Sequence, residues 1–248
     1  MNDAVLSVLP AYQTDLFNPT YRPMRTERWE LRVSNTVLSP GYWSGASLVH
    51  NLAALIRINE DGTTDTWMSS TPMEHESQEI GVRAAAGHTV VMGMGMGWAA
   101  ANIALNPAVT RVTVVDLDQE VLDTIRAIGV FEQLPAEAAA KVTIVHGDAT
   151  AYVPDAPVDT LFADIWRPIN GDRIPEMHRM QANCKAPRVY YWGQELEIAR
   201  RARTLGLPID ADTVARIVAD IGLPLIGPER ADYPALIEAC AARWLRDI

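Results

Sequence analysis

Three glycines at alternate positions form the turn in this 248-residue chain that is best suited to binding a ligand. Gly93, Gly95 and Gly97 directly follow a short apolar run at 88–92 and precede a helical run at 98–105. Because glycine has no Cβ, the backbone can turn tightly there and a ligand can lie against it. The unpaired N–H groups at the start of the next helix favour negative or polar ligand groups. The pattern predicts a strand–turn–helix unit that binds a polar ligand, with a tight turn that binds nothing as the alternative. Its GxGxG spacing differs from the GxGxxG of dinucleotide-binding folds.

Acids follow the three predicted strands that come after this turn. Asp116 ends the first of them, where doubly wound nucleotide-binding folds place an acid on the ribose hydroxyls. Asp148 and Asp164 follow the next two strands. Ligands of open α/β sheets bind at the carboxyl ends of the strands, so we expect these acids to surround the ligand of the glycine turn. Asp118 directly precedes a helical run, and we expect it to cap that helix.

Apolar strands alternate with helices over residues 88–192, a pattern typical of βαβ units and a buried parallel sheet. The predicted strands are 88–92, 111–118, 141–149, 158–166 and 188–193, and the predicted helices are 98–105, 119–128 and 173–184. The sequence therefore predicts an α/β fold with a Rossmann-like, mostly parallel sheet and helices on both faces.

The two ends of the chain have different patterns. Residues 1–28 are predicted to be an irregular arm, and 29–69 are β-rich, with a hairpin turn at Asp61 and Gly62. A helix is predicted at 74–86, with Ser70 or Thr71 as its cap. Further helices are predicted at 194–205, 211–221 and 232–246. These patterns divide the chain into an arm and small β region (1–73), the Rossmann-like domain (74–193) and a helical tail packed on it (194–248).

Composition excludes several classes of protein. With 48% hydrophobic and 21% charged residues, the chain can bury a core, which excludes disorder as its main state. Its two cysteines exclude a disulfide scaffold. A net charge of −10 disfavours nucleic-acid binding, which needs a basic face. Apolar runs fall short of the ~20 residues that span a bilayer, and the first residues lack a basic leader, so we expect a cytoplasmic protein without membrane contact.

Four runs together resemble a known superfamily. VVMGMGMGW, VTVVDLDQEVL, VTIVHGDA and DTLFADIW look like the class I S-adenosylmethionine-dependent methyltransferases, and most like their spermidine-synthase-like branch, the polyamine aminopropyltransferases. The resemblance covers residues 50–192 and implies S-adenosyl-L-methionine as the cofactor. It implies that the cofactor is held at these positions: Gly93, Met94, Gly95, Gly97, Asp116, Leu117, Asp148, Ala149, Asp164 and Glu79. In that branch the acid at Asp164 helps to deprotonate the attacking amine, and dimers are common, so a homodimer is expected.

The chain departs from the aminopropyltransferase pattern at three motif positions, and predicted helices replace the usual sixth and seventh strands. Methionines stand where an acid is usual among the glycines, and Ser77 and Gln78 replace a Tyr-His pair. Arg167 stands where a second acid is usual after Asp164, and an arginine would repel a polyamine nitrogen. These departures favour methyl transfer over aminopropyl transfer.

The sequence thus predicts methyl transfer from S-adenosylmethionine to a small-molecule acceptor. Asp164 is the first candidate for a catalytic base and His178 the second, while Trp166 and Arg167 are candidates for contacting the acceptor. No metal site is predicted, because the acids around His75 lack HExxH spacing and a third ligand. Two alternatives are aminopropyl transfer from the decarboxylated cofactor, and a non-catalytic protein that binds an adenosine compound or acts as a scaffold.

Overall fold

The computed structural model describes residues 9–245 and builds the chain around two β-sheets. The first sheet is antiparallel, with its strands in chain order: β1 (Met24–Arg25), β2 (Trp29–Pro40), β3 (Ala46–Ile58) and β4 (Thr64–Ser69). The predicted hairpin is confirmed as the β3–β4 connection, where Gly62 adopts a φ of +81°. Residues 1–8 of the predicted arm lie outside the described residues.

The second sheet is parallel and has five strands. They are β5 (Gly87–Met92), β6 (Val109–Asp116), β7 (Val142–His146), β8 (Thr160–Ala163) and β9 (Arg188–Tyr191). Their order across the sheet is β7-β6-β5-β8-β9, the doubly wound arrangement in which the first strand lies at the centre. Buried runs such as Val90, Val91 and Met92 make the central strands apolar on both faces, as a parallel sheet covered by helices requires. The predicted α/β fold is therefore confirmed.

Eight α-helices are described. They are α1 (Pro72–Ala84), α2 (Trp98–Leu105), α3 (Gln119–Ile128), α4 (Ala136–Ala139), α5 (Ile174–Cys184), α6 (Gln194–Leu205), α7 (Ala211–Ile221) and α8 (Tyr233–Trp244). Helices flank the parallel sheet, with α2 against β6 and α5 against β8. Thr71 caps α1, and Asp118 caps α3 by accepting a hydrogen bond from the Glu120 N–H. The single-turn α4 was not predicted, and Arg246 at the end of the predicted last helix lies outside the described residues.

Strand register decides where the connecting loops leave the parallel sheet. Met92 lies opposite Val115 on one side and opposite Ala163 on the other, so β5, β6 and β8 end at the same level. The loops that follow these strands therefore emerge side by side at the carboxyl edge. Asp116, one residue further, lies opposite His146 at the end of β7.

The helical tail is tied to the rest of the fold through a buried carboxyl group. Glu195, near the start of α6, accepts hydrogen bonds from the hydroxyls of Tyr42 at 3.4 Å and Tyr233 at 3.2 Å. The Tyr190 hydroxyl, which donates to the Ser77 carbonyl at 2.6 Å, lies 3.4 Å from the same carboxyl group. Tyr42 precedes β3, Tyr190 lies in β9 and Tyr233 begins α8, so one side chain joins both sheets and the tail. Among residues 9–245, no helix is long and apolar enough to cross a membrane.

Candidate functional site

A cavity of about 360 Å³ lies at the carboxyl edge of the parallel sheet, a size suited to a small-molecule ligand. The structure brings most of the residues predicted from the sequence to its wall: Gly93, Gly95, Asp116, Leu117, Asp148, Ala149 and Asp164. They come from the ends of four neighbouring strands. The parallel topology, and not proximity in sequence, places them together.

The glycine loop needs glycine for steric as well as conformational reasons. Gly93, Gly95 and Gly97 have φ values of +101°, +48° and +78°, in the region that other residues rarely adopt. A Cβ on Gly93 would collide with the carbonyl oxygen of Asp164, and one on Gly95 would collide with the sulfur of Met68. The loop backbone is therefore packed tightly between the end of β8 and strand β4.

Both oxygens of the Asp116 carboxyl group are held by the backbone. Oδ2 accepts the N–H of Met94 at 2.7 Å, and Oδ1 accepts the N–H of Asp118 at 2.8 Å. Burial raises the pKa of this carboxyl group, and the two backbone hydrogen bonds oppose that effect. Each carboxylate oxygen can accept more than one hydrogen bond, so a fixed Asp116 keeps the capacity to bind a pair of ligand hydroxyls.

One end of the cavity combines an apolar ledge with an ionised acid. Leu117 is 70% exposed, an unusual state for a large apolar side chain in a cavity wall, and Ala149 is buried. Asp148 is exposed, and its Oδ1 accepts hydrogen bonds from the N–H and hydroxyl of Thr150, both at 2.8 Å. These bonds hold the pKa of Asp148 below its ordinary value. The arrangement offers an apolar surface beside a hydrogen-bond acceptor, as a planar heterocycle with an amino group requires.

The other end of the cavity holds a carboxyl group with a raised pKa. Burial raises the pKa of Asp164 to about 7, although the nearby positive charge of Arg173 opposes this effect. Burial also raises the pKa of Glu74 on α1 well above its ordinary value, and the charge of Asp164 adds to this. A carboxyl group that titrates near neutral pH is suited to accepting or holding a proton.

Glu74, not the predicted Glu79, is the α1 acid close to Asp164. Glu79 pairs instead with Arg83 at 2.6 Å, and Arg83 also pairs with Asp15 of the N-terminal arm. Glu79 does not line the cavity. The structure thus places Glu79 in an ion pair outside the cavity wall, and its predicted contact with the cofactor stays a prediction. Five residues of α-helix rotate a side chain by about 140°, so Glu74 and Glu79 point in different directions.

Five further predicted residues do not line the cavity: Met94 and Gly97 of the glycine loop, and His178, Trp166 and Arg167. His178, the second candidate base, is exposed on α5 and faces Gly222, in the turn that ends α7. Trp166 donates a hydrogen bond from its indole to Glu176, and Arg167 pairs with Asp65 of the β4 hairpin at 2.5 Å. Trp166 and Arg167 belong to the loop after Asp164, but their side chains bind other parts of the protein.

The antiparallel sheet contributes a wall of the cavity that the sequence motifs did not indicate. Arg28, Trp29, Arg57 and Trp67 line the cavity opposite the strand ends. The rings of Trp29 and Trp67 meet edge to face with centroids 5.5 Å apart, and the Arg57 guanidinium lies 5.9 Å from the Trp67 centroid. Trp29 and Arg28 also bind Asp118, each at 3.1 Å. The alternating pattern of β2 and β3 predicted strands, but it did not indicate which face meets a ligand.

A buried arginine that sequence reasoning also missed shapes the loop after Asp164. Arg173 is only 3% exposed, and its guanidinium donates hydrogen bonds to the carbonyls of Pro168, Ile169 and Gly171. It also packs between the rings of Trp166 and Trp192, at 5.2 and 5.3 Å from their centroids. Arg173 therefore holds the loop that follows Asp164 in one conformation. No group of three or more residues that could hold a metal ion occurs among residues 9–245.

No protein-family model and no curated protein matches the chain. Solved structures that match part of it include the glycopeptide N-methyltransferase MtfA complexed with S-adenosyl-L-methionine, with 23% identity and a TM-score of 0.35 over 44% of this chain and 47% of that one. A SAM-dependent methyltransferase from Geobacter sulfurreducens in complex with S-adenosyl-L-homocysteine has 22% identity and a TM-score of 0.35, over 46% and 44% of the two chains. A precorrin 8W decarboxylase from Methanobacterium thermoautotrophicum has 18% identity and a TM-score of 0.36, over 52% and 68%. The chain spans less than half the length of the first two, and likenesses of this extent assign no activity to it.

Proposed function

We propose that this protein binds S-adenosyl-L-methionine in the cavity at the carboxyl edge and transfers a methyl group to a small-molecule acceptor. One observation carries the proposal: the glycine loop, Asp116 and the pair Asp148 and Ala149 converge on one cavity. Asp116 follows the strand next to the glycine loop and suits the ribose hydroxyls of an adenosine compound. Asp148 and Ala149 follow the next strand and suit its adenine ring.

The residues present fit this cofactor in shape and in charge. One face of an adenine ring would pack against the exposed side chain of Leu117. This contact would account for an accessible leucine in the cavity wall. Asp116, Asp148 and Asp164 make the cavity acidic, which favours a ligand with a positively charged centre. Trp29 and Trp67 form an apolar part of the opposite wall.

When bound, S-adenosylmethionine supplies an electrophilic methyl group on a sulfonium centre. The chain's own contribution is mainly to orient the reacting groups and to exclude water, because methyl transfer by direct displacement depends on alignment. Asp164 provides the site for the acceptor's proton, since its pKa of about 7 leaves it partly ionised at neutral pH. The charge of Asp164 in turn adds to the burial that raises the pKa of Glu74 on α1. Arg173 positions the loop that carries Asp164.

Calorimetric titration with S-adenosylmethionine, its decarboxylated form and NAD in parallel tests the proposal. We expect S-adenosylmethionine to bind and Asp116→Ala to weaken it at least tenfold, because a hydrogen bond to a charged group contributes about 1.5–3 kcal/mol. Asp123→Ala on α3, which removes an exposed acid paired with Arg126, is the matched control and should bind as the wild type does. Binding of NAD alone, or of none of the three, would refute the proposal. A preference for the decarboxylated form would indicate aminopropyl transfer instead.

A further inference from the structure

The backbone N–H groups of the glycine loop are almost all used by the protein itself. Gly93 donates to the Val115 carbonyl at 2.8 Å, and Gly97 donates to the Met94 carbonyl at 2.8 Å. Met94 donates to Asp116, and Met96 donates to the sulfur of Met68 at 3.2 Å. Of the five residues 93–97, Gly95 alone has an N–H without a partner within the described part of the chain. The loop therefore has little left to offer to a ligand carboxylate, which needs several donors.

The charges around the cavity also disfavour a ligand carboxylate, in addition to the lack of free N–H donors in the glycine loop. Four carboxyl groups line it, those of Asp116, Asp118, Asp148 and Asp164, against two guanidinium groups, those of Arg28 and Arg57. Arg28 is already neutralised, because it forms ion pairs with Asp118 at 3.1 Å and Glu120 at 2.7 Å. A ligand carboxylate that enters this cavity meets repulsion unless Arg57 offsets it.

Arg57 is positioned to do so. It lies on β3, is partly buried and lines the cavity beside Trp67. Within residues 9–245, its side chain makes no ion pair and no hydrogen bond. Asp65, its partner in the β3–β4 ladder, is bound instead by Arg167 at 2.5 Å and by Asn59 at 2.9 Å. The charge of Arg57 still helps to lower the pKa of Asp65, but Asp65 makes its ion pair with Arg167 and its hydrogen bond with Asn59. The N–H groups of the Arg57 guanidinium therefore stay available at the cavity wall.

We propose that Arg57 binds the carboxylate of the cofactor's amino-acid moiety and thereby selects the carboxylated cofactor over its decarboxylated form. The inference rests on the proposed function, because it assumes that an adenosine-containing sulfonium compound occupies this cavity. A guanidinium group binds a carboxylate through two parallel hydrogen bonds, which a lone N–H in the loop cannot replace. The antiparallel sheet then contributes specificity to a site whose other contacts come from the parallel sheet.

The test compares four ligands that differ at this carboxylate. S-adenosylmethionine and S-adenosylhomocysteine carry it, whereas decarboxylated S-adenosylmethionine and 5′-methylthioadenosine lack it. Calorimetry on Arg57→Gln should show about 10- to 100-fold weaker binding of the first two and unchanged binding of the last two. Arg57→Lys keeps the charge and should recover part of the loss. Arg32→Gln removes an exposed arginine of the neighbouring strand, paired with Glu30, and should bind all four ligands as the wild type does.

The outcomes separate this inference from the proposed function. If the wild type binds none of the four ligands, the proposed function fails and the inference fails with it. If the wild type binds S-adenosylmethionine and Arg57→Gln binds it equally well, only the inference is overturned. Equal weakening of all four ligands also overturns it, because Arg57 would then support the Trp67 wall and not a carboxylate. Thermal unfolding of each variant shows whether a weaker binder is still folded.

Discussion

A buried glutamate at the start of α6 makes the stability of this protein depend on pH. Glu195 is completely buried, the hydroxyls of Tyr42 and Tyr233 donate hydrogen bonds to it, and the Tyr190 hydroxyl lies 3.4 Å away. Burial nevertheless raises its pKa from 4.5 to about 7, and the hydrogen bonds oppose the rise only in part. We predict that Glu195→Gln stabilises the protein above neutral pH, because glutamine resembles the protonated acid in shape and carries no charge.

The sign and size of the effect follow from proton binding. Between pH 4.5 and about 7 the folded protein retains a proton on Glu195 that the unfolded chain has lost. The free energy of unfolding therefore falls by about 1.4 kcal/mol per pH unit as pH rises through this window. Over the whole window the loss reaches about 3 kcal/mol, after which it stays constant. Glu195→Gln removes this contribution, while Asp164 and Glu74, whose pKa values are also raised, keep theirs in both proteins.

Urea unfolding followed by tryptophan fluorescence at several pH values between 4 and 8 measures the effect. The free energies of unfolding of the wild type and Glu195→Gln should diverge by about 3 kcal/mol as the pH rises, with the variant more stable at pH 8. Glu238→Gln, which changes an exposed glutamate of α8, is the matched control and should run parallel to the wild type. If the curves of the wild type and Glu195→Gln run parallel, the wild-type Glu195 carboxyl group ionises without cost to the folded state, and the reasoning is refuted.

Two further changes test the carboxyl edge. Asp164→Asn should leave cofactor binding within a few-fold of wild type but lower kcat by about 100-fold or more with any acceptor found by screening. The wild-type rate should rise with pH through about 7, as Asp164 loses its proton. If the rate changes neither in the variant nor with pH, Asp164 is not the base. Gly93→Ala combines a φ of +101° with a collision against the end of β8, so thermal unfolding should show a free energy of unfolding lower by about 2 kcal/mol or more. Gly206→Ala, also at positive φ but in open space, should lower it by only about 1 kcal/mol. Equal losses in the two variants would show that no steric contact operates at Gly93.

Much of the carboxyl edge could be predicted from the sequence, because local patterns determine it. A run such as the one ending at Met92 is too apolar for a surface strand, and the glycines after it allow only a tight turn. Once the strands are parallel, topology alone brings Asp116, Asp148 and Asp164 to one edge. These predictions needed no knowledge of long-range packing.

Residues placed by packing between elements could not be predicted in the same way. Whether Glu74 or Glu79 lies near Asp164 depends on how α1 is rotated about its axis where it packs on the sheet. The sequence pattern of α1 does not determine this rotation, because buried residues occur on several of its faces. The exposed position of His178 could have been predicted, since Met177, Met180 and Cys184 mark the buried face of α5. Trp29 and Arg57 lie in the antiparallel sheet, and no local sequence pattern indicates how this sheet packs against the parallel sheet.

That docking makes the antiparallel sheet part of the candidate site. Asp118 caps α3 through the Glu120 N–H at 3.0 Å, and the same carboxyl group accepts hydrogen bonds from Trp29 of β2 and from Arg28, the residue before it. The backbone N–H of Asp118 in turn donates to Asp116. Asp118 therefore takes part both in the contact between the sheets and in the orientation of Asp116, the proposed ribose-binding acid. A shift of either sheet would disturb the hydrogen bonds of Asp118 to Trp29 and Arg28 and its hydrogen bond to Asp116. The wall that carries Arg57 and the edge that carries Asp116 therefore form one binding site.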